Sequence, residues 1–139
     1  MTRSRIPRMK SSDLGEWLSE HRWHHYVTLT SRPTTSVRQL VREFERRFVR
    51  WLQRVAQRHV SYFFAVEGAE TGHPHLHVLL DGTRDLTTTQ LRRHWPGRNT
   101  HVEVYDPRRG ATDYVSKDVL KDCSEWNISR RMPPKRRPG

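Results

Sequence analysis

Two apolar, β-rich runs joined by a short turn-forming segment constrain the fold of this chain most strongly. The first run extends from Val60 to Glu67 and the second from His75 to Leu80, with Gly68, Gly72 and Pro74 between them. Valine, tyrosine and phenylalanine favour strands, whereas glycine and proline favour turns. We therefore predict two neighbouring antiparallel strands, a pairing that brings the end of the first strand close to the start of the second.

The second of these strands carries two histidines on one face. Successive side chains of a strand point to opposite faces, so His75 and His77 share a face about 7 Å apart while Leu76 points into the core. Glu67 ends the preceding strand and lies across the short connection. Two imidazoles and a carboxylate can bind a divalent metal and leave coordination positions open for a substrate. We predict that Glu67, His75 and His77 are metal ligands.

Other ionisable residues near this segment fit less well. Glu70 is a competing carboxylate, but its place in the loop favours a solvated turn residue. His73 precedes a proline and falls outside the alternation of the strand, which favours a loop histidine. The pair His24 and His25 stands at the start of the first predicted strand, where a surface position is expected and a DNA contact is the alternative.

A tyrosine and a lysine further along the chain add a second chemical element. Tyr114 and Lys117 are three residues apart in a predicted helix from Ala111 to Lys121, so they share one helix face. A metal triad together with such a tyrosine suggests phosphoryl transfer through a tyrosyl intermediate. Asp118 can approach a metal from the same helix, although a charge on the helix surface is the simpler interpretation.

The longest periodic segment extends from Val37 to Val55. Its apolar residues recur at spacings of three and four, which predicts an amphipathic helix with Ser36 or Thr35 as its N-cap. The opposite face is rich in arginine. We interpret this charged face as solvated, with contact to DNA as the alternative.

The remaining segments complete an α+β pattern. Strands are predicted at 23–31, 101–105 and 124–129, a short helix at 87–95 and a helical piece at 13–20. The resulting order, βαββαβα with a final edge strand, predicts a ferredoxin-like antiparallel sheet of about five strands with helices packed on it. We expect one domain over residues 1–132 and a disordered basic tail over residues 133–139.

The charge balance points to a polyanionic partner. The 139 residues contain 26 lysines and arginines against 15 aspartates and glutamates, a formal net charge of +11. Nucleic acid is the first candidate for such a chain. The single cysteine, Cys123, excludes an intramolecular disulfide. No apolar run is long enough for a membrane span or a signal peptide, so we expect a cytoplasmic location and no membrane partner.

Three of these segments resemble the motifs of HUH endonucleases, in that family's order. His75-Leu76-His77, followed by apolar residues, is similar to the His-hydrophobic-His motif. The segment from Tyr114 to Lys117 is similar to the single-tyrosine YxxK motif. The segment from Tyr26 to Thr30 resembles the first-strand motif of the replication-initiator (Rep) branch. The single tyrosine separates the chain from the two-tyrosine branch.

The resemblance implies a specific activity. It implies nicking and joining of single-stranded or hairpin origin DNA, with Mg²⁺ or Mn²⁺ as cofactor and a 5′-phosphotyrosine at Tyr114, to initiate rolling-circle replication of a plasmid or phage. A host helicase is then an expected partner, because the chain has no Gly-rich phosphate loop. Lys117 favours Rep over the single-tyrosine transposases, which remain the alternative within the superfamily. A non-catalytic single-strand-binding module is the alternative from another class.

Overall fold

The protein folds as an antiparallel sheet with helices on both faces. The structure is a computed structural model that describes residues 11–30, 32, 35–95, 100–109 and 126–136. The strands are β1 (His25–Thr30), β2 (Ser61–Glu67), β3 (His75–Asp81), β4 (His101–Val104) and β5 (Trp126–Ile128). The helices are α1 (Ser11–Ser19), α2 (Val37–Glu43), a π-helical segment (Phe44–Val49), α3 (Arg50–Val55) and α4 (Thr88–Arg93). Single 3₁₀ turns span Ala69–Thr71 and Pro107–Arg109.

The sheet order is β4-β1-β3-β2-β5, and every neighbouring pair is antiparallel. The predicted α+β class with an antiparallel sheet of five strands is therefore confirmed. The strand β3 lies at the centre of the sheet between β1 and β2, and β5 is the edge strand that the sequence predicted at residues 124–129. None of the helices in the described ranges is both long and apolar enough to cross a membrane.

The predicted helix from Val37 to Val55 is confirmed as one helical stretch whose middle is π-helical. It begins with a capping box, in which the Ser36 hydroxyl accepts from the Gln39 backbone N–H and the Gln39 side chain accepts from the Ser36 N–H. Such a box satisfies backbone groups that the first helical turn leaves without intrahelical partners. A second capping box, formed by Thr87 and Gln90, begins α4.

One face of the sheet, which we call the helix face, packs against α2, the π-helical segment, α3 and α4. Its core is continuous and apolar because alternate strand residues meet the apolar stripe of the long helix. Fully buried members from the strands and from the helices are Val27, Leu29, Phe64, Val66, Leu76, Val78, Leu80, Leu40, Phe44, Phe48, Leu52 and Leu91.

The opposite face, which we call the site face, carries a smaller core beneath α1. Leu14 and Leu18 of α1 pack with Phe63 and Leu79 of the sheet, and Tyr26 and Trp126 are partly buried beside them. The helical piece predicted at residues 13–20 is therefore confirmed, although it lies on the face opposite to the long helix. This core covers only part of the face and leaves room for polar side chains along the same strands.

The two ends of the described chain meet beside α1. The Arg22 backbone N–H donates to the Pro134 carbonyl, and the Arg136 N–H donates to the Glu20 carbonyl. Lys135 forms an isolated β-bridge with His21. The first residues of the predicted tail are thus hydrogen-bonded to the domain, and residues 137–139 lie outside the described residues.

Candidate metal centre

The three predicted metal ligands lie together on the site face. Glu67 ends β2 and is the cross-strand partner of His75, while His77 lies two residues further along β3. The alternation along β3 sends Leu76 into the helix-face core and both imidazoles to the other side. The antiparallel turn between β2 and β3 therefore brings the carboxylate to the two histidines, as the sequence predicted.

One carboxylate oxygen contacts both imidazoles. Glu67 Oε1 lies 2.7 Å from His75 Nε2 and 2.8 Å from His77 Nε2. One ligand atom from each of the three residues falls within 4.8 Å of the others. Neighbouring ligands of a small divalent cation, bound at about 2.1 Å, are about 3 Å apart in octahedral geometry. The three side chains therefore fit a divalent metal with little rearrangement.

The outer nitrogens of both rings have partners that favour metal binding through Nε2. His75 Nδ1 donates to the His73 backbone carbonyl over 3.3 Å, which leaves the lone pair on Nε2. That lone pair faces a carboxylate oxygen, an arrangement that requires a cation or a proton between the two. His77 Nδ1 lies 2.8 Å from the Tyr26 hydroxyl oxygen, which can accept a hydrogen bond from the Nδ1–H. Hydrogen bonds of this kind fix ring orientation and tautomer in metal-binding histidines.

Tyr26 is a site residue that the sequence interpretation missed, because it was considered only as part of the first-strand motif. Its ring stacks near the His77 ring, with centroids 6.1 Å apart. Alternation along β1 places Tyr26 and Thr28 on one face, and Thr28 is the cross-strand partner of His77. The alternation was visible in the sequence, but the pairing of β1 with β3, which brings Tyr26 to the site, was not.

Gly68 fits the turn closely against His75. Its φ is +80°, a left-handed conformation that glycine adopts without steric cost. A Cβ at this position would lie 2.7 Å from the His73 carbonyl oxygen and 3.2 Å from the His75 ring. Gly72 has a similar φ of +78°, but a Cβ there would meet nothing within 4 Å. The packing of the site therefore leaves no room for a side chain at Gly68, whereas there is room for one at Gly72.

The electrostatics of the cluster favour an ionised Glu67 beside a neutral His77. Burial alone would raise the pKa of Glu67, but the hydrogen bonds from His77 and His75 outweigh this effect and lower the pKa below its usual value. Burial lowers the pKa of His77, against the opposing effect of Glu67. A carboxylate beside neutral imidazoles is the state that binds a metal ion.

The other candidate residues lie apart from the cluster or outside the described residues. Glu70 is exposed on the 3₁₀ turn, and the His73 side chain is also exposed. His25 is buried on the helix face, where its Nδ1 lies 2.6 Å from the Thr83 hydroxyl, so the expected surface position is wrong for it. Residues 110–125, which include Tyr114, Lys117 and Asp118, lie outside the described residues.

Comparison with known proteins identifies a family for most of the chain. The family model for the replication-associated protein ORF2 matches residues 24–123. No curated protein and no solved structure matches the chain. The matched residues begin just before β1 and include Glu67, His75, His77 and the segment around Tyr114. The chain therefore belongs to this family of replication-associated proteins, whose role is in replication.

Proposed function

We propose that this protein nicks and rejoins single-stranded DNA through a 5′-phosphotyrosine, and thereby initiates rolling-circle replication. The observation that carries this proposal is the convergence of Glu67, His75 and His77 on one face of the sheet, in a chain of a replication-associated family. The resemblance of the same residues to the HUH endonuclease motif supports the choice of chemistry.

The two histidines and Glu67 would hold Mg²⁺ or Mn²⁺. When bound, such a cation stabilises charge that develops on a phosphate oxygen and helps to fix in-line geometry. The protein's own contribution is to hold three ligand atoms together before binding, with Tyr26 and the His73 carbonyl orienting the imidazoles. The three ligand side chains therefore need little further ordering when the substrate binds.

Tyr114 is the proposed nucleophile. Its phenolic oxygen attacks the scissile phosphorus, the P–O3′ bond breaks, and the phenolic proton is lost as the 3′-oxygen gains one. A free phenol has a pKa of about 10, so the attack requires a cationic neighbour, and Lys117 is the proposed one. The new phosphodiester retains the energy of the broken bond, so a 3′-OH can reverse the reaction and rejoin a strand without ATP.

Adduct formation tests the mechanism. The chain is incubated with a library of single-stranded oligonucleotides and Mn²⁺, and covalent protein–DNA species are separated on a denaturing gel. We expect an adduct with the parent chain, none with Tyr114→Phe, and a normal yield with the control Tyr62→Phe, whose side chain packs on the helix face. Mass spectrometry of the digested adduct should place the nucleotide on Tyr114.

Two results would contradict the proposal. Efficient nicking by Tyr114→Phe would favour a metal-activated water as the nucleophile instead. Binding of single strands without metal and without any cleavage would favour the non-catalytic binding module. Titration with Mn²⁺ separates these cases further, because we expect one site in the parent chain and a large loss of affinity in His77→Ala.

A further inference from the structure

Five arginines recur at every fourth residue along the long helical stretch. All five side chains are exposed, and none forms an ion pair with a residue in the described ranges. We call them the arginine row: Arg38, Arg42, Arg46, Arg50 and Arg54. The acidic neighbours Glu43 and Glu45 are half-buried and flank the row without belonging to it.

The π-helical segment keeps this row aligned along the helix. In an α-helix of 3.6 residues per turn, positions four apart drift around the axis by about 40° at each step. The hydrogen bonds of a π-helix reach one residue further, so a π-helix has more residues per turn and each residue rotates by a smaller angle. A π-helical segment therefore reduces the accumulated drift. Phe44–Val49 supplies this correction midway along the stretch.

A second four-residue repeat shows that the correction is effective. The apolar residues of this repeat are all fully buried against the sheet: Leu40, Phe44, Phe48 and Leu52. If the drift accumulated along the helix, the side chains at one end of this repeat would point away from the sheet. The arginine row is offset from them by two residues, about half a turn, and therefore lies on the outer side of the helix. It extends for roughly 24 Å at 1.5 Å per residue.

The composition of this surface favours a double helix over a single strand. Proteins that bind single strands add aromatic platforms on which bases stack. Trp51, the aromatic residue next to Arg50 in the chain, is half-buried, and its ring is already stacked on His94 with centroids 3.6 Å apart. The row thus offers charge without stacking, which suits a duplex whose bases are paired. A length of roughly 24 Å faces about seven phosphates of one strand.

We propose that the arginine row binds the phosphate backbone of double-stranded DNA next to the single-stranded segment that is cut. The choice of DNA as the polyanion rests on the proposed function. The row and the metal cluster lie on opposite faces of the sheet, since the buried repeat contacts the helix face and Glu67, His75 and His77 occupy the site face. One molecule can therefore hold a duplex and a single strand at the same time.

The test compares two variants with equal loss of charge. The row variant carries Arg42→Gln, Arg46→Gln and Arg50→Gln, and glutamine preserves helix propensity. The control variant carries Arg92→Gln, Arg130→Gln and Arg131→Gln, which are exposed positions outside the row. Affinities for a 20-base-pair duplex and for a single strand of the same sequence are measured between about 50 and 200 mM salt.

We expect the row variant to lower the slope of log affinity against log salt by about three for the duplex, because each lost phosphate contact removes about 0.9. The slope for the single strand should change by less than one, and the control variant should change both slopes by less than one. Replacing the same three arginines by lysine should restore the duplex slope, since counterion release depends on charge.

An unchanged duplex slope in the row variant, or equal losses for duplex and single strand, would overturn the inference. Adduct formation on a single-stranded oligonucleotide is measured in the same variants and should match the parent chain. If the parent forms no adduct while the duplex slope falls as expected, the nicking mechanism fails and the duplex surface stands. If the adduct forms and the slope is unchanged, only the duplex surface fails.

Discussion

The two faces of the sheet use the same strands for different purposes. On the helix face, alternate residues of β1, β2 and β3 are apolar, fully buried and packed against a long helix. On the site face, the intervening residues include Tyr26, Glu67, His75 and His77, which contact one another through polar atoms. The same alternation therefore places the larger apolar core on one face, and the smaller core together with the polar cluster on the other.

Histidines illustrate the contrast. His25 on the helix face is 1% exposed and hydrogen-bonded to Thr83, and burial, with a smaller effect of His24, lowers its pKa to about 4. His77 is nearly as buried, but both of its ring nitrogens meet groups of the cluster. A buried histidine on this fold is thus structural or functional according to the face that it occupies.

The largest effect on stability is expected from the helix face. Phe48→Ala removes a fully buried ring from the core and should lower the free energy of unfolding by about 3–5 kcal/mol. Denaturant unfolding measures this loss. The affinity of the folded variant for Mn²⁺ should stay within about twofold of the parent value, because the ring lies on the other side of the sheet. A loss of metal affinity in the folded variant would show that the two faces are coupled.

The pH dependence of stability should report on His25. The unfolded chain binds a proton at His25 near pH 6.5, whereas the folded chain does so only near pH 4. Between these values the unfolded state binds more protons, so stability is fully present above pH 6.5 and falls by about 3 kcal/mol as the pH drops to 4. His25→Gln should flatten this part of the profile, while His59→Gln, at an exposed position, should not. Equal profiles for the parent and His25→Gln would contradict the assignment.

The smallest expected effect comes from removing one oxygen on the site face. Tyr26→Phe deletes the hydroxyl that contacts His77 Nδ1 and should weaken Mn²⁺ binding by about 10–100-fold, as for other outer contacts of metal ligands. Tyr62→Phe makes the same chemical change among residues packed on the helix face and should leave the affinity unchanged. Similar metal affinities in Tyr26→Phe and the parent chain would mean that the hydroxyl does not orient the ring.

Local patterns in the sequence were sufficient to predict most of the fold. Alternation between Val60 and Leu80 predicted β2, β3 and the shared face of Glu67, His75 and His77, because the turn between the two strands is short. The helix from Val37 to Val55 followed from its apolar spacing. In both cases the interacting residues are near one another in the chain, so a periodic pattern is enough to place them.

Features that depend on distant residues could not be predicted in this way. Tyr26 reaches His77 across 51 positions of sequence, and His25 reaches Thr83 across 58. The side of the sheet covered by α1 also depends on tertiary packing rather than on its own periodicity. The predicted roles of Tyr114 and Lys117 stay predictions, because their positions lie outside the described residues.

The place of β3 in the sheet order bears on the dynamics of the candidate metal ligands His75 and His77. With β1 on one side and β2 on the other, its backbone amides are hydrogen-bonded within the most protected part of the sheet. Amides at such positions exchange with solvent only in openings that approach global unfolding, whereas edge strands such as β4 and β5 open more readily. We therefore expect β3, which carries His75 and His77, to exchange more slowly than β4 and β5, so that fraying at either edge of the sheet leaves the arrangement of the two histidines intact.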